Sequence, residues 1–200
     1  MPTNTYNQLL TNCRATFKDT SYDPTNAEYM TESRTITVNY DQAKNDYVKA
    51  LGLSESPKSC DALYLHHNGT YYLVEFKNGG IDNLKCYEIK MKILDSLLIL
   101  LDQMNKTISF SRENLSYILV YNEGRNHTSR MYNQVDSSRV SAMPQLGPTS
   151  PGQVDISKFV SNRAGEHFIR FGLKRYESIY FKAVYTYTKK EFQDHFISTC

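Results

Sequence analysis

The stretch that decides the fold lies at residues 60–80 and has the sequence CDALYLHHNGTYYLVEFKNGG. Two segments rich in aromatic, aliphatic and β-branched residues, 62–65 and 71–76, flank the dipeptide Asn68-Gly69. Because Asn-Gly tolerates the positive φ angles of a tight turn, this pattern predicts a β-hairpin. The tripeptide Asn78-Gly79-Gly80 should end its second strand abruptly.

The predicted hairpin brings charged side chains together. Side chains i and i+2 of a strand share a face, so Glu75 and Lys77 should point to one side of the sheet. Pairing around the turn places Asp61 across from them, so both carboxylates should meet at one mouth of the sheet. If they share one ion, we expect the carboxyl groups to lie about 4 to 5 Å apart. A salt bridge from Lys77 would be compatible with that arrangement.

Two acids and a lysine so placed suit the hydrolysis of a phosphodiester. Mg²⁺ is commonly bound by one or two carboxylates, with its remaining positions left to water and substrate phosphate. Such an ion stabilises the charge that develops on phosphorus and lowers the pKa of an attacking water. A lysine adds a compact cation that can orient this water or neutralise the phosphoryl oxygens. We therefore predict Asp61 and Glu75 as metal ligands and Lys77 as a catalytic cation.

Asp61, then thirteen intervening positions, then Glu75-Phe76-Lys77 and a long predicted helix resemble the PD-(D/E)XK nuclease superfamily. The resemblance covers about residues 41–121. It implies a restriction-endonuclease-like αβββαβ core in which the two acids bind Mg²⁺ or Mn²⁺ and the lysine assists hydrolysis. Members of this superfamily include restriction enzymes, junction resolvases, repair nucleases and nuclease domains of bacterial toxins, and several members are catalytically inactive.

The chain departs from the family pattern in two places. Cys60 stands before Asp61, where the family name has proline. Many members supply a further carboxylate from the first core helix, and here Asp46, Asp41 and Glu32 are the candidates. We carry Asp46 forward as the accessory metal ligand.

A second Glu-x-Lys match at residues 88–90 provides an internal comparison. It falls in a helical pattern with no aspartate at a suitable distance in a preceding strand, so we do not assign it. For the first match the alternative is structural: Asp61 would be a cross-strand residue, and Glu75 and Lys77 an ordinary charged pair on a solvated face.

Length and composition predict a single domain over residues 1–200. The chain is 40% hydrophobic and 22% charged, with a net charge of +2, as is usual for a soluble protein. We place the core at about 34–121, a long polar loop at 122–153 and a basic, aromatic part at 154–200. The first residues lack a secretory pattern and the longest strongly apolar run, 97–101, is too short to span a membrane. With four cysteines free of metal-site spacing, these features predict a cytoplasmic protein without a membrane partner.

The periodicity predicts an α/β fold with a mixed central sheet flanked by helices. The firmest element is a helix over 82–104, whose expected buried face is Leu84, Tyr87, Met91, Leu94, Leu98 and Leu101. Other predicted helices lie at 4–17, 41–51, 155–162 and 189–197, the last starting at the capping box Thr188-Lys-Lys-Glu191. Predicted strands lie at 35–39, 115–121 and 179–188.

The C-terminal part is basic and aromatic. Residues 158–190 contain eight lysines and arginines but only two acids, with eight interleaved phenylalanines and tyrosines. Cations that neutralise phosphates and rings that stack on bases are typical of nucleic-acid binding, which predicts contacts from Lys174, Arg175 and Lys182. The alternative is that the rings are core and the lysines solubilise the opposite face.

These features predict a metal-dependent nuclease, a hydrolase acting on DNA or RNA in defence or as a toxin. The main alternative is a catalytically inactive binding protein on the same scaffold, such as an immunity or regulatory protein whose partner is a toxin or immunity counterpart. A nucleotide-binding sensor without hydrolysis is a third interpretation.

Overall fold

The structure is a computed structural model that describes residues 2–126 and 169–200, with side chains from Thr5 onward. All of these residues belong to one structural unit. Residues 127–153 of the predicted polar loop and the helix predicted at 155–162 lie outside them.

The described residues contain eight strands and six α-helices. The strands are β1 (Arg14–Thr16), β2 (Tyr22–Asp23), β3 (Glu28–Tyr29), β4 (Ile36–Asn39), β5 (Ala62–Leu65), β6 (Tyr71–Lys77), β7 (Leu115–Tyr121) and β8 (Ala183–Thr188). The helices are α1 (Pro2–Asn12), α2 (Phe17–Thr20), α3 (Tyr40–Ala50), α4 (Asn83–Gln103), α5 (Ile108–Asn114) and α6 (Lys189–Glu191). Single turns of 3₁₀-helix lie at Glu123–Arg125, Leu173–Tyr176 and Ile197–Thr199, and a π-helical turn at Phe192–Phe196.

The central sheet has six strands in the order β1-β4-β5-β6-β7-β8. The pairs β1–β4, β4–β5 and β5–β6 are antiparallel, whereas the pairs β6–β7 and β7–β8 are parallel. Helices α4 and α5 form the crossover between β6 and β7, as a parallel pair requires. The coarse prediction of an α/β fold with a mixed central sheet is therefore confirmed. Strands β2 and β3 form a separate hairpin.

The hairpin predicted from Asn68-Gly69 is present as β5 and β6. Ala62 pairs with Val74 and Leu65 with Tyr71. Gly69 has a φ of +85°, the left-handed conformation for which a glycine is suited. Its N–H donates to His66 O at 2.9 Å, which closes the turn.

Strand alternation on β6 gives the sheet two different faces. Leu73 belongs to the core between the sheet and α4, while Val74 and Phe76 belong to a second core on the opposite face. Glu75 follows the parity of Leu73, so its carboxyl group lies in the layer between the sheet and α4. The fold therefore buries an acid under the longest helix.

Helix α4 matches the predicted span, and the predicted buried face is correct only in part, since Leu101 is buried and Leu94 packs against the core. Leu84, Tyr87 and Leu98 are exposed, and the residues that face the sheet include Ile89, Ile93, Ser96, Leu97 and Leu100. The helix carries two apolar stripes, and periodicity does not say which one packs. Hydrogen bonds hold the stripe that contains Ser96 against the sheet. Ser96 Oγ accepts from Cys60 N at 2.7 Å, and Ser96 O accepts from Tyr40 Oη at 3.2 Å.

Other predicted boundaries move by a few residues. Helix α1 ends at Asn12 because residues 14–16 pair with β4 as an edge strand. Strand β8 begins at Ala183 rather than 179. The capping box at Thr188 and Glu191 is confirmed, although the helix changes to a π-helical turn at Phe192.

Candidate active site

Asp61 is fixed at the entrance to β5. Its N–H donates to Val74 O at 3.0 Å and its carbonyl accepts from Tyr40 N at 3.0 Å. Its side-chain Oδ2 accepts from Phe76 N at 2.6 Å. The backbone of the hairpin thus orients this carboxylate, and Oδ1 is directed toward α4.

Glu75 lies beside Asp61 and is only 1% exposed. Lys92 Nζ, from α4, donates to Glu75 Oε1 at 2.7 Å and to Oε2 at 3.0 Å. The same ammonium lies 3.4 Å from Asp61 Oδ1. Asp61 and Glu75, hereafter the acid pair, therefore converge on one cation at one mouth of the sheet.

The bridging lysine is not the one that the sequence suggests. Lys77 shares the face of Glu75 and lines a cavity with Asp61, but within the described residues the hydrogen bonds to the acid pair from a lysine come from Lys92 alone. Lys92, and not Lys77, therefore bridges the two acids. The reason is geometric: Lys77 is the last residue of β6, whereas α4 crosses directly over Glu75.

Sequence reasoning missed Lys92, although a signal for it exists. Ile89, Lys92 and Ser96 follow one another at helical spacing on the side of α4 that faces the sheet. A lysine on such a stripe needs a buried acid, and Glu75 is the acid across from it. The signal can be used only when the correct stripe of α4 is known.

Burial dominates the electrostatics of the acid pair. It raises the pKa of Glu75 to about 8, with a further increase from Asp61, opposed by Lys92. Burial also raises the pKa of Asp61, against the effects of Lys92 and the Phe76 N–H. Burial disfavours the charge of Lys92, but the two carboxylates more than offset it, so its pKa is raised.

These pKa shifts indicate that the acid pair is short of positive charge. With all three groups ionised, two carboxylates face one ammonium and one negative charge is left uncompensated in a buried position. Such a charge is costly and calls for a proton or a further cation. The donor set therefore fits Mg²⁺ or Mn²⁺, which favour carboxylate oxygens.

A third carboxylate lies near, but it is not the predicted one. Asp41, in the first turn of α3, accepts from Ser59 Oγ, and its charge contributes to the raised pKa of Asp61. Asp46 instead contacts Cys13 Sγ at 3.5 Å and Gln42 Nε2 at 2.8 Å. The structure thus brings Asp41 rather than Asp46 toward the acid pair, because α3 starts where its Tyr40 N–H meets Asp61.

The cluster of acids around Asp61 and Glu75 is small. Across residues 2–126 and 169–200, no cluster of three or more His, Cys, Asp or Glu side chains is arranged to hold a metal ion. The acid pair supplies two carboxylates, which is sufficient for Mg²⁺ when water and substrate complete the coordination. Glu32, the remaining sequence candidate, is an exposed partner of Lys18.

A cavity of about 380 Å³ opens beside Asp61. Lys77 and Lys85 line it, and so do residues of the β2–β3 hairpin, including Tyr22. Lys58 and Lys77 both lower the pKa of Glu88, after the larger effect of its hydrogen bond to Lys85. Lys77 and Lys85, which line this cavity together with Asp61, therefore place positive charge beside the acid pair.

The three predicted phosphate contacts do not line this cavity. Lys174 pairs with Glu177, and the Arg175 guanidinium lies 5.8 Å from the ring centroid of Tyr176. Lys182 precedes β8, and its N–H donates to Leu115 O at 2.8 Å. Because Glu75 is in register with Leu119 at the other end of β7, the structure does not bring Lys182 to the acid pair. Nucleic-acid binding by these residues stays a prediction.

A comparison with known protein families, with curated proteins and with solved structures found no match. Among the residues described, no helix combines the length and the apolar character needed to cross a membrane.

Proposed function

We propose that this protein is a metal-dependent nuclease that hydrolyses phosphodiester bonds of DNA or RNA. The observation that carries the proposal is the convergence of Asp61 and Glu75 on one ammonium, with Glu75 almost fully buried. A buried pair of acids that is short of positive charge is a costly feature, and such features cluster at functional sites.

The residues have separate tasks. Asp61 and Glu75 would hold Mg²⁺ or Mn²⁺, which when bound stabilises negative charge on phosphorus and makes water more acidic. Lys77, on the cavity wall, would neutralise the phosphoryl oxygens. Lys92 would hold the two carboxylates in place, since it bonds both oxygens of Glu75. Asp41 would add negative charge from α3.

The order of elements supports a restriction-endonuclease-like core. Strands β4, β5 and β6 are successive antiparallel neighbours, and α4 then leads to the parallel strand β7. This is the βββαβ part of the αβββαβ pattern that the resemblance implies, with α3 inserted between its first two strands. Helix α1 precedes it and contacts β5, since Tyr6 Oη accepts from Leu65 N at 3.1 Å.

One observation favours the alternative of a catalytically inactive binding protein. Lys92 already contacts both acids, so part of their charge is compensated without a metal. In that case the acid pair and Lys92 would be a buried ion cluster that fixes α4 on the sheet, and Lys77 and Lys85 at the cavity would bind a protein partner.

A cleavage assay separates these functions. Purified protein is incubated with Mg²⁺ or Mn²⁺ and with single- and double-stranded DNA and RNA of mixed sequence. We expect cleavage that EDTA stops, and that Asp61→Asn or Glu75→Gln abolishes. Glu88→Gln is the matched control, because Glu88 belongs to the unassigned Glu-x-Lys match on α4 and should leave cleavage unchanged.

Two results would count against the nuclease. Absence of metal-dependent cleavage of every substrate, together with loss of a protein partner in the acid-pair variants, would favour the binding protein. Cleavage by Asp61→Asn at the wild-type rate would refute this site even if the protein were a nuclease.

A further inference from the structure

The β2–β3 hairpin, residues 22–29 and hereafter the tyrosine hairpin, presents two exposed rings next to the cavity beside Asp61. Tyr22 is 45% exposed and Tyr29 is 40% exposed. Their ring centroids lie 4.8 Å apart, and Lys18 Nζ lies 4.6 Å from the centroid of Tyr29. Tyr29 is thus supported by a cation and by a second ring, and Tyr22 lines the cavity.

The tyrosine hairpin is anchored to the strand that carries Glu75. Asn78, directly after β6, donates from Nδ2 to Asp23 Oδ2 and to Glu28 Oε2, each at 3.0 Å. Asn78 Oδ1 accepts from Asn122 Nδ2 at 2.7 Å, and Asn78 is buried. This network ties the position of the rings to the end of the sheet rather than to a free loop.

The lining of the cavity consequently combines two kinds of chemistry. Lys77, Lys85 and Asp61, which would hold a phosphate and its metal, line the cavity, and so does the aromatic Tyr22. Its volume, about 380 Å³, falls within the range of about 300 to 1,000 Å³ that is usual for ligand sites. A nucleotide joins a phosphate and a flat aromatic base within one such space.

We infer that the cavity binds one unpaired nucleotide, whose base stacks on Tyr22, so that the substrate is single-stranded at the site of cleavage. This inference deepens the proposed function and rests on it for the class of ligand. Stacking on an aromatic side chain needs a free base face, which single strands offer without cost. A base inside a duplex has both faces covered and would first have to be extruded.

The stacking role differs from a structural role of the same rings. A cross-strand tyrosine pair also stabilises a hairpin, so loss of a ring could act through folding. Tyr22→Phe keeps the ring and removes only the hydroxyl, whereas Tyr22→Leu keeps apolar bulk across from Tyr29 and removes the aromatic face. Tyr87→Ala, at an exposed tyrosine on α4, is the matched surface control.

The test is a binding titration in EDTA, so that no cleavage occurs. Fluorescein-labelled 12-nucleotide single strands of DNA and of RNA, and the corresponding duplexes, are titrated by fluorescence anisotropy. Thermal unfolding of each variant is recorded in parallel. We expect Tyr22→Leu to weaken binding of single strands about tenfold and to leave duplex binding unchanged, while Tyr22→Phe and Tyr87→Ala match the wild type.

The results separate the inference from the proposed function. Equal single-strand affinities for Tyr22→Leu and the wild type would overturn the inference, and so would an equal loss for single strands and duplexes; the cleavage assay would be untouched by either. Single-strand binding that depends on Tyr22, in a protein that cleaves nothing, would uphold the binding of an unpaired nucleotide at Tyr22 and remove the hydrolytic function. A wild type that binds no nucleic acid would overturn both.

Discussion

Lys92 donates to both carboxylate oxygens of Glu75, at 2.7 and 3.0 Å, across the interface between α4 and β6. The lysine side chain is 25% exposed and that of the glutamate 1%. This contact joins the longest helix to the centre of the sheet through a charge, in addition to the apolar packing of Ile93 and Leu97. It also makes Lys92 the cation that any metal ion bound by the acid pair would have to accommodate.

Lys92→Ala should destabilise the protein in the absence of metal by about 3 to 5 kcal/mol, because it leaves two buried carboxylates without their partner. Added Mg²⁺ or Mn²⁺ should restore part of that loss, since a ligand that binds only the folded state stabilises it. Chemical denaturation in EDTA and in metal measures both effects. Lys90→Ala, two residues earlier on α4, is the control and should change the stability little. A Lys92→Ala protein as stable as the wild type in EDTA would show that the ion pair contributes nothing.

Glu75→Gln should flatten the dependence of stability on pH. An unfolded glutamate has a pKa of about 4.3, and in the folded protein burial raises the pKa of Glu75 to about 8. Folding therefore takes up a proton between these values, so wild-type stability should fall as the pH rises from about 4 to 8. Glutamine resembles the protonated acid and does not ionise. The variant should therefore not lose stability as the pH rises. We expect the variant to gain on the order of 4 kcal/mol over the wild type between pH 5 and pH 9.

The measurement for Glu75→Gln is denaturant unfolding in EDTA at several pH values. Asp61, Lys92 and Lys77 face Glu75 and remain in place. Glu88→Gln is the control: a hydrogen bond from Lys85 lowers the pKa of Glu88, so its contribution is lost only as the pH falls into the acid range. Parallel pH profiles for wild type and Glu75→Gln would contradict the prediction.

Lys77→Ala should separate metal binding from turnover. Lys77 lies on the cavity wall and not in a hydrogen bond to the acid pair among the described contacts, so Mg²⁺ affinity by calorimetry should persist. If it stabilises charge in the transition state, kcat/KM should fall by about 100- to 1,000-fold. The control is again Lys90→Ala, which belongs to the unassigned match. Loss of metal affinity in step with turnover would instead assign Lys77 to the structure of the acid pair.

Much of this site follows from local sequence. The Asn68-Gly69 turn fixes the register of β5 and β6, and alternation then puts Glu75 and Lys77 on one face, with Asp61 at the mouth. These relationships span few residues and depend on backbone geometry that the sequence states directly. The mixed sheet could be predicted for the same reason, because a hairpin and a strand–helix–strand unit each have a recognisable sequence pattern.

What could not be predicted depends on packing between distant elements. Leu98 and Leu97 are adjacent and equally apolar, yet only Leu97 is buried, so the composition of α4 does not reveal its inner face. Without that face, Lys92 looks like any exposed helix lysine. The choice between Asp41 and Asp46 likewise depends on where α3 begins relative to Asp61, which is set by a backbone hydrogen bond across the sheet.

Asp41→Asn should weaken Mg²⁺ binding several-fold, because its negative charge acts on Asp61 from the first turn of α3. Removing it should also lower the pKa of Asp61, since the repulsion between the two carboxylates disappears. Calorimetric titration with Mg²⁺ measures the first effect. Asp46→Asn is a close match on the same helix and should leave metal affinity unchanged. Equal affinities for the two variants would remove Asp41 from the site.

The last prediction concerns the lysines that would meet phosphates. Lys85 lines the cavity beside Asp61, whereas Lys182 precedes β8 at the opposite end of the sheet. Each phosphate contact releases counterions, so reversing a contacting charge weakens binding and reduces the slope of affinity against salt. We expect Lys85→Glu to do both, to a greater extent than Lys182→Glu, in anisotropy titrations from low to physiological salt. Reversal of Lys174 and Arg175 tests the predicted C-terminal contacts in the same way. An unchanged salt slope would place those residues on a solvated face, and a larger effect at Lys182 than at Lys85 would move the nucleic-acid path away from the acid pair.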